Sequence, residues 1–483
     1  MFMEEVIMAK KYDKLMEQIA DYVCNYKVKS EPAIKRAYLT LFDALGCAMQ
    51  GLSFPECRRL VCPQWPSTIA VNGARVPGTT YQFDPAQAAF AIGTALRWTD
   101  YTDLIAGATP LHPSENAIGI IPVVDYLNRF RNANLRVKDV LALFIKSAEI
   151  TGKLAELNDI TVHGYDNIFL IGVGMTPVIA QILGGNKDVV LRALSQSIVD
   201  AGCTAIFRRP GGNVGWRKSW APGDIGRRSV ILASIAMHDA TGYKNALTFK
   251  QYGYYDVCFG GKQFKLDGKF TTSVIKRNQL KIPYPAEGLL QTLIEAAIKL
   301  HGSVKDRLDD IKKIAVTTLE PAYRYTYSSP ETGDPTKLTC AAARDHSLVY
   351  VTTLGLVFGK VLYKYYENDT ANSPQVRKLF DNFEVKIDDE YTKSWFDMKR
   401  CGVPNALQVF FKDGSKTKRI FIEYPVGHPK REKEGEKFFL QKLKSNLETI
   451  FTPEKTDLIL NTYKNYNKTL ELPFDEFIDR WIP

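Results

Sequence analysis

Apolar positions recur with a helical period through the first half of the chain. Leu15, Ile19 and Val23 fall on one face of a first helix. Further apolar runs of helical length are 87–96, 176–183, 189–199 and 230–240. The pattern therefore predicts an all-helical bundle between about residues 10 and 260.

In the second half the period changes to two. Alternating apolar residues in KKIAVTTL (312–319) and NFEVKID (382–388) predict two strands. Apolar alternation on both sides of Asp413–Gly414 predicts a hairpin, because Asp-Gly is a preferred turn pair. The segments between the strands that have helical length are 289–300 and 348–365.

After Pro425 the pattern is helical again, which predicts two domains. We expect a large all-helical domain built from both chain ends (1–275 and 429–483) and a smaller α+β lid domain between them (276–428). The length of 483 residues exceeds one ordinary core, which agrees with this division. The expected fold class is mainly α with an α+β insert.

The composition, 45% hydrophobic and 24% charged, is that of a folded globular protein. No apolar stretch reaches about 18 residues, and the start of the sequence lacks the apolar core of a signal peptide. The eight cysteines are scattered without a C-x-x-C pair, so reduced thiols are expected. These features favour the cytoplasm, with the mitochondrial matrix as the alternative, and no membrane partner.

The net charge of +10 fits two kinds of anionic partner, small polycarboxylates and nucleic acid. Lys and Arg are spread along the chain with acids between them, and the densest basic stretch, 430–437, alternates with glutamates. That pattern is typical of a solvated surface. We therefore expect no nucleic-acid partner.

A first candidate site follows the apolar run 87–96. Asp100 and Asp103 are three residues apart, so they share one face if the helix continues, and His112 follows after a turn. A histidine held beside a carboxylate is suited to proton transfer. The alternative, which spacing alone favours, is that the aspartates cap or neutralise a helix end and the histidine lies at the surface.

A second candidate is FRRPGGNVGWRKSWAPGDIGRRS, residues 207–229. Its glycines permit close backbone approach to a ligand, which predicts an anion-binding loop before a helix that begins near Asp224. Its cationic side chains include Arg208, Arg209, Arg217, Lys218 and Arg227. The alternative is an ordinary Gly-Pro loop with a basic surface.

Several chemical classes are excluded by absent motifs. No H-E-x-x-H, no paired Cys and His spacing and no G-x-S-x-G occur, which excludes zinc hydrolases and α/β-hydrolases. Cys57 and Cys62 form only a weak pair for an iron–sulfur cluster. We therefore expect no metal and no cofactor.

Motifs along nearly the whole chain resemble those of the MmgE/PrpD family, and most of all its 2-methylcitrate dehydratase branch. The matching runs are LFDALGCAMQGL, GARVPGTTYQFDPAQAAFAIGTALRWTDYTD, HPSEN, WRKSWAPGDIGRRS, GYYDVCFGG, YPAE, ARDHSLVY and IEYPVGH. The resemblance implies a helical domain with an α+β lid, homodimers, and metal-free elimination of water from a citrate-like tricarboxylate.

The resemblance also implies roles for individual positions. Asp100, His112 and Lys218 are the implied catalytic residues, with Asp100 and His112 in proton transfer and Lys218 holding a carboxylate. Elimination beside a carboxylate needs a base, an acid and fixed cations, and which group is base stays open. The implied substrate-binding residues are Arg217, Asp103, Leu104, His163, Asn167, Leu289, Arg344, His346 and Tyr350.

Several departures from the family pattern replace polar site groups, and three of them fall at positions named above. The family's D-T-W is Asp103-Leu104-Ile105 here, its G-L-D-H ends in Asn167, and its lid histidine is Leu289. We favour a pocket reshaped for an alkylcitrate with a longer arm, because apolar lining stabilises buried alkyl groups by about 25 cal/mol per Å². The alternatives are a decarboxylase of a cis-aconitate-like acid and a catalytically impaired binding paralogue.

Overall fold

The fold is described from a computed structural model, which covers residues 11–208, 214–328 and 333–483. The helices up to residue 276 are α1 (Lys14–Asn25), α2 (Glu31–Leu52), α3 (Pro55–Val61), α4 (Pro85–Leu96), α5 (Ile120–Arg131), α6 (Val137–Leu157), α7 (Ile168–Ile182), α8 (Lys187–Val199), α9 (Arg217–Met237), α10 (Tyr254–Cys258) and α11 (Ser273–Lys276). The later helices are α12 (Gln291–Val304), α13 (Glu320–Thr326), α14 (Ala341–Arg344), α15 (Leu348–Phe358), α16 (Asn368–Ala371), α17 (Pro374–Arg377), α18 (Asp389–Phe396), α19 (Glu432–Leu447), α20 (Pro453–Lys464), α21 (Tyr466–Leu470) and α22 (Phe474–Asp479). The strands are β1 (Ala74–Arg75), β2 (Gln82–Phe83), β3 (Asp103–Leu104), β4 (Gln279–Leu280), β5 (Ile311–Thr318), β6 (Phe383–Ile387), β7 (Asn405–Phe411) and β8 (Ile420–Ile422).

The largest hydrophobic core combines both ends of the chain, and we call this part the body. Its buried members run from Met16 to Ile282 and again from Phe439 to Trp481. The rings of Phe42 and Trp481, for example, have centroids 5.7 Å apart. The prediction that the two ends build one helical unit is confirmed, while the boundaries at 275 and 428 stay a prediction.

A second core, between Ala286 and Phe411, belongs to the lid. Its four-stranded sheet has the order β6-β5-β7-β8, with β5 parallel to β6 and the other pairs antiparallel. The two alternating segments are thus β5 and β6, and the predicted hairpin is β7–β8. The helix predicted over 348–365 ends earlier, at Phe358, because Gly359 adopts a left-handed conformation (φ 62°) that caps it.

Helices α4 and α9 pack closely because glycines lie at their contact. A Cβ atom at Gly223 would lie 2.4 Å from the carbonyl oxygen of Phe90, and one at Gly93 would lie 2.6 Å from Cα of Gly223. A methyl group at Gly226 would similarly lie 2.5 Å from the side chain of Ile118. The glycines of residues 207–229 were predicted to let the backbone approach a ligand closely. For Gly223 and Gly226 this prediction is wrong, because a neighbouring helix and the side chain of Ile118 occupy the space beside them.

A two-residue ladder joins the body to the start of the lid. Asp103 pairs with Leu280 in β3–β4, and the backbone N–H of Lys281 donates to the carbonyl oxygen of Thr102 at 2.8 Å. This ladder, like β1–β2, is too short to show a strand period, so the first half was predicted to be all-helical. All eight thiols are unpaired. Within the described ranges, no helix combines the length and the apolar character needed to cross a bilayer.

Candidate active site

Helix α4 ends at Leu96, so both aspartates of the first candidate site lie beyond it. The condition for a shared helical face is therefore not met. Asp103 is buried and accepts hydrogen bonds from the backbone N–H of Ser114 (2.8 Å), its hydroxyl (2.7 Å) and Nδ2 of Asn278 (2.9 Å). These bonds fix the turn that carries His112 against the start of β4.

The carboxylate of Asp100 is buried among cations. Its Oδ1 lies 2.7 Å from Nζ of Lys281 and 3.1 Å from a terminal guanidinium nitrogen of Arg97, and its Oδ2 lies 3.5 Å from Nε2 of His346. Burial alone would raise the pKa of Asp100, but Lys281, His346, Arg97 and Lys218 together hold that pKa well below its usual value. Asp100 is therefore charged at neutral pH.

Lys218 connects the body to the lid. It is the second residue of α9, and its Nζ donates to Oδ1 of Asp345 at 3.1 Å and to the carbonyl oxygen of Ala342 at 2.9 Å. The same Nζ lies 3.0 Å from Nδ1 of His346. A cation from one domain is thus held by groups of the other.

His346 lies between two carboxylates. Its Nδ1 is 2.5 Å from Oδ1 of Asp345, and its Nε2 faces Asp100. The His346 side chain is 28% exposed, whereas the side chains of Asp100 and Lys281 are almost fully buried. Among these groups, the imidazole is the one that a solute reaches most easily. We call the following six residues the charged cluster: Arg97, Asp100, Lys218, Lys281, Asp345 and His346.

His112 is buried beside the charged cluster. Its Nδ1 contacts the backbone carbonyl oxygen of Asp103 at 2.5 Å, so the ring proton lies on Nδ1. The sequence had predicted that a carboxylate would hold the ring; a backbone carbonyl does so instead. Burial, Arg97 and Lys281 lower the pKa of His112 well below its usual value, although Asp100 opposes them. The ring is neutral at pH 7, and Nε2, which bonds no described residue, carries a lone pair that can accept a proton.

Two glutamates near the charged cluster hold protons more tightly than usual. Oε1 of Glu115 lies 2.8 Å from Nε of Arg97, yet burial raises the pKa of Glu115 to about 7. The carboxylate of Glu287 accepts the backbone N–H of Leu289, and burial raises its pKa as well. Glu115 is therefore a potential proton donor near neutral pH.

Two predicted lid residues have internal partners. The buried guanidinium of Arg344 donates to the carbonyl oxygens of Tyr366 (2.5 Å) and Leu338 (3.1 Å). Tyr350 is fully buried in the lid core, and its hydroxyl donates to the carbonyl oxygen of Tyr365 at 2.5 Å. The structure does not bring Tyr350 to the charged cluster.

The second candidate segment is partly helical. Helix α9 begins at Arg217, so the prediction of a start near Asp224 is wrong. The guanidinium carbon of Arg217 lies 4.4 Å from the ring centroid of Trp220 and 5.4 Å from that of Phe207. Arg217 thus stacks on aromatic rings next to Lys218 in sequence. Arg209 and the glycines at 211 and 212 lie outside the described residues.

His163 and Asn167, also predicted to bind substrate, lie between helices α6 and α7 of the body. The ring of His163 is partly exposed and packs 4.8 Å from the ring of Phe259. Nδ2 of Asn167 donates to the carbonyl oxygen of Pro110 at 2.9 Å, two residues before His112. Its buried Oδ1 has no hydrogen-bond partner among the described residues. An amide with an unused acceptor therefore lies close to the histidine turn.

Leu104 and Leu289, which were predicted to bind substrate, lie in one apolar patch. Leu104 and Leu289 are both buried, and a Cβ atom at Gly288 would lie 2.5 Å from Cδ2 of Leu104. The patch lies where the body meets the lid. Its members are Leu104, Ala106, Leu289, Leu319, Ala322, Trp395, Cys401 and Val403.

A cavity of about 420 Å³ opens beside the charged cluster. Asp345 is part of its wall, as are Thr99 and Ser219, the sequence neighbours of Asp100 and Lys218. Its aromatic lining consists of Phe54, Trp98, Trp216, Tyr363 and Tyr366. Aromatic surface thus adjoins the buried charges, as in many small-molecule sites, and the wall also contains charged side chains, among them Glu56, Arg344 and Glu367.

Sequence reasoning missed Arg97, Lys281 and Asp345. Arg97 and Asp345 lie inside motifs that had been singled out, and Lys281 lies three residues before YPAE. Lys281 carried one available signal, because it is a charged residue in the otherwise uncharged stretch NQLKIPYPA. Its partner could not be inferred, since Asp100 is 181 positions away.

Two protein-family models match most of the chain. The MmgE/PrpD N-terminal domain matches residues 17–267, and the MmgE/PrpD C-terminal domain matches residues 284–466. The 2-methylcitrate dehydratase of Cupriavidus necator is 37% identical, with 97% of each chain covered. That of Salmonella typhimurium is 34% identical, with 99% of each chain covered.

A more distant relative from a fungus also matches. The 2-methylcitrate dehydratase-like protein of Aspergillus oryzae is 31% identical over 98% of this chain and 96% of its own. Dehydration, the chemistry of a carbon–oxygen lyase, is thus an activity found among these relatives, and the lyase prediction is confirmed at that level. Because both domain types and nearly full-length relatives match, the chain belongs to the MmgE/PrpD family.

Proposed function

We propose that the chain is a hydro-lyase that eliminates water from a citrate-like tricarboxylate, either 2-methylcitrate or a 2-alkylcitrate with a longer arm, to give the alkyl cis-aconitate. The observation that carries the proposal is the charged cluster between body and lid, with His112 beside it. The relatives named 2-methylcitrate dehydratase support the reaction class.

The cations of the cluster suit a substrate with several carboxylates. Arg97, Lys218 and Lys281 outnumber the two aspartates of the cluster, Asp100 and Asp345, and Glu115 holds its proton up to about pH 7. Buried cations of fixed geometry stabilise the negative charge that develops when a proton leaves a carbon beside a carboxylate. The proposal therefore needs no metal ion.

The proton steps are assigned to two imidazoles. Nε2 of His112 takes the proton from carbon, the carbon–carbon double bond forms, and the hydroxyl leaves as water after receiving a proton from His346. The low pKa of His112 fits this order, because it keeps the ring neutral until the substrate's negative charge raises its proton affinity.

The alkyl arm is assigned to the aromatic cavity and the apolar patch. A methyl group would occupy only a small part of about 420 Å³, so the cavity favours a longer arm. Leu104 and Leu289, where the resemblance implies polar groups, are buried at the seam of body and lid and make that seam apolar. The arm length stays a prediction.

The predicted homodimer has one supporting feature. Ile231 and Ile235 lie one turn apart on α9 and are 42% and 44% exposed, which gives the body an apolar stripe. Light scattering coupled to size-exclusion chromatography tests the mass. Cellular location stays a prediction; one relative, from Yarrowia lipolytica, is named mitochondrial.

Product analysis tests the reaction directly. Purified protein treated with EDTA is incubated separately with 2-methylcitrate, 2-hexylcitrate and cis-aconitate, while ultraviolet absorbance and carbon dioxide are followed. An absorbing unsaturated product from an alkylcitrate, without carbon dioxide, is the expected result. Carbon dioxide from cis-aconitate would assign a decarboxylase instead, and binding without turnover would assign a non-catalytic paralogue.

A further inference from the structure

A buried ion pair outside the charged cluster is hydrogen-bonded to backbone segments that carry residues of the cluster. Nζ of Lys442, on α19, lies 2.7 Å from Oδ1 and 2.9 Å from Oδ2 of Asp43, on α2. Both side chains are only 2% exposed. Burying two charges is costly unless further hydrogen bonds satisfy them, so the remaining partners of the ammonium are informative.

Those partners are two backbone carbonyls of the site. The ammonium of Lys442 donates to the carbonyl oxygen of Tyr101 at 2.6 Å and to that of Lys281 at 3.0 Å, and it lies 4.0 Å from the ring centroid of Tyr101. Tyr101 follows Asp100 directly. One cation thus binds the main chain of Lys281 and of the residue that follows Asp100. The side chains of Lys281 and Asp100 form the 2.7 Å ion pair of the charged cluster.

We propose that Lys442 and Asp43 are positioning residues: the ammonium, neutralised by Asp43, clamps the backbone at Tyr101 and Lys281 and so fixes the Asp100–Lys281 pair that His346 faces. The C-terminal segment then has a function beyond closing the core, because α19 supplies the clamp. This inference deepens the proposed function and rests on it for its kinetic test.

A double variant that lacks both charges tests whether Lys442 and Asp43 position the charged cluster or only balance each other's charge. In Asp43→Asn/Lys442→Met no buried charge is left unpaired, so folding is retained while the clamp is lost. We expect kcat for 2-methylcitrate to fall ~10- to 100-fold with KM little changed, because small misplacements of reacting groups lower the rate. Lys442→Arg keeps the charge and the donors, so it should recover part of kcat.

The matched control is another ion pair of the body. Asp125 and Arg129 are 2.8 Å apart, and their further contacts are with Arg75 and the C-terminal residues 475 and 479. Asp125→Asn/Arg129→Met should leave kcat unchanged per folded molecule. Thermal unfolding measured for both double variants gives the folded fraction.

A second readout is independent of turnover. The chain has six histidines, so 13C-labelled imidazole signals can be assigned by single substitution. The neutral double variant should shift the signals of His346 and His112 and leave those of His163 and His238 in place. Unshifted His346 and His112 signals together with wild-type kcat would overturn the proposal. If no tricarboxylate is dehydrated at all, the proposed function fails, and the imidazole signals still decide whether Lys442 positions the cluster.

Discussion

Nζ of Lys218 lies 3.0 Å from Nδ1 of His346, although the two residues are 128 positions apart and belong to body and lid. The lysine also pairs with Asp345 of the lid. A tricarboxylate bound at this seam would place one of its carboxylates on Lys218 in exchange for that of Asp345. The proposed function therefore predicts that substrate binding and lid position are coupled through one ammonium group.

His112→Gln tests the assignment of the base. The amide keeps a donor toward the carbonyl oxygen of Asp103 but cannot accept a proton from carbon, so kcat for 2-methylcitrate should fall ~100- to 10,000-fold with little change in KM. Steady-state kinetics by ultraviolet absorbance measures both constants. The control is His238→Gln, at an exposed position just after α9, which should behave as wild type. Equal rates for both variants would remove His112 from the mechanism.

The pKa of Glu115 predicts a pH dependence of stability. Between pH 4.5, its ordinary pKa, and about 7, the folded state keeps a proton that the unfolded state has released, so raising the pH favours unfolding. Relative to Glu115→Gln, the wild-type free energy of unfolding should fall across this interval, by up to about 3 kcal/mol, and then stay level. Urea unfolding at several pH values measures the difference. A difference that is constant or rises with pH would contradict the burial of this carboxyl group.

Filling the aromatic cavity tests the assignment of the alkyl arm. Ala341 lines the cavity at an exposed position, so Ala341→Trp should obstruct it. Each buried CH₂ contributes about 0.8 kcal/mol, so excluding the roughly five additional CH₂ groups of a hexyl arm should lower kcat/KM ~1,000-fold while 2-methylcitrate is used as before. Ala343→Trp, in the same short helix but outside the lining, is the control. Equal losses for both substrates would place the arm elsewhere.

The fold was largely predictable because its elements are long and periodic. Helix α4 differs from the apolar run 87–96 by two residues at its start, where the Asp84 side chain caps it. Strands β5 and β6 follow alternation that can be read residue by residue. Short elements were not predictable, since the two-residue β3–β4 ladder has no period, and its register is set by packing between body and lid.

Several residues of the site could be predicted from the sequence, but the residues with which they pair could not. The motifs contained Asp100, Lys218 and His346, yet nothing local indicates that Lys281 neutralises Asp100 or that Arg217 stacks on Trp220. Such pairs depend on how distant segments meet. The clamp by Lys442 is the clearest case, because it joins segments from three separate parts of the chain.

The most direct measurement of the central claim compares two lysine variants with 2-methylcitrate as substrate. Lys218→Ala removes the cation that joins body and lid, whereas Lys187→Ala removes a partly exposed lysine of α8 that pairs with surface carboxylates. The account predicts that kcat/KM falls roughly 100- to 1,000-fold in the first variant and is unchanged in the second. Wild-type turnover by folded Lys218→Ala protein would contradict it.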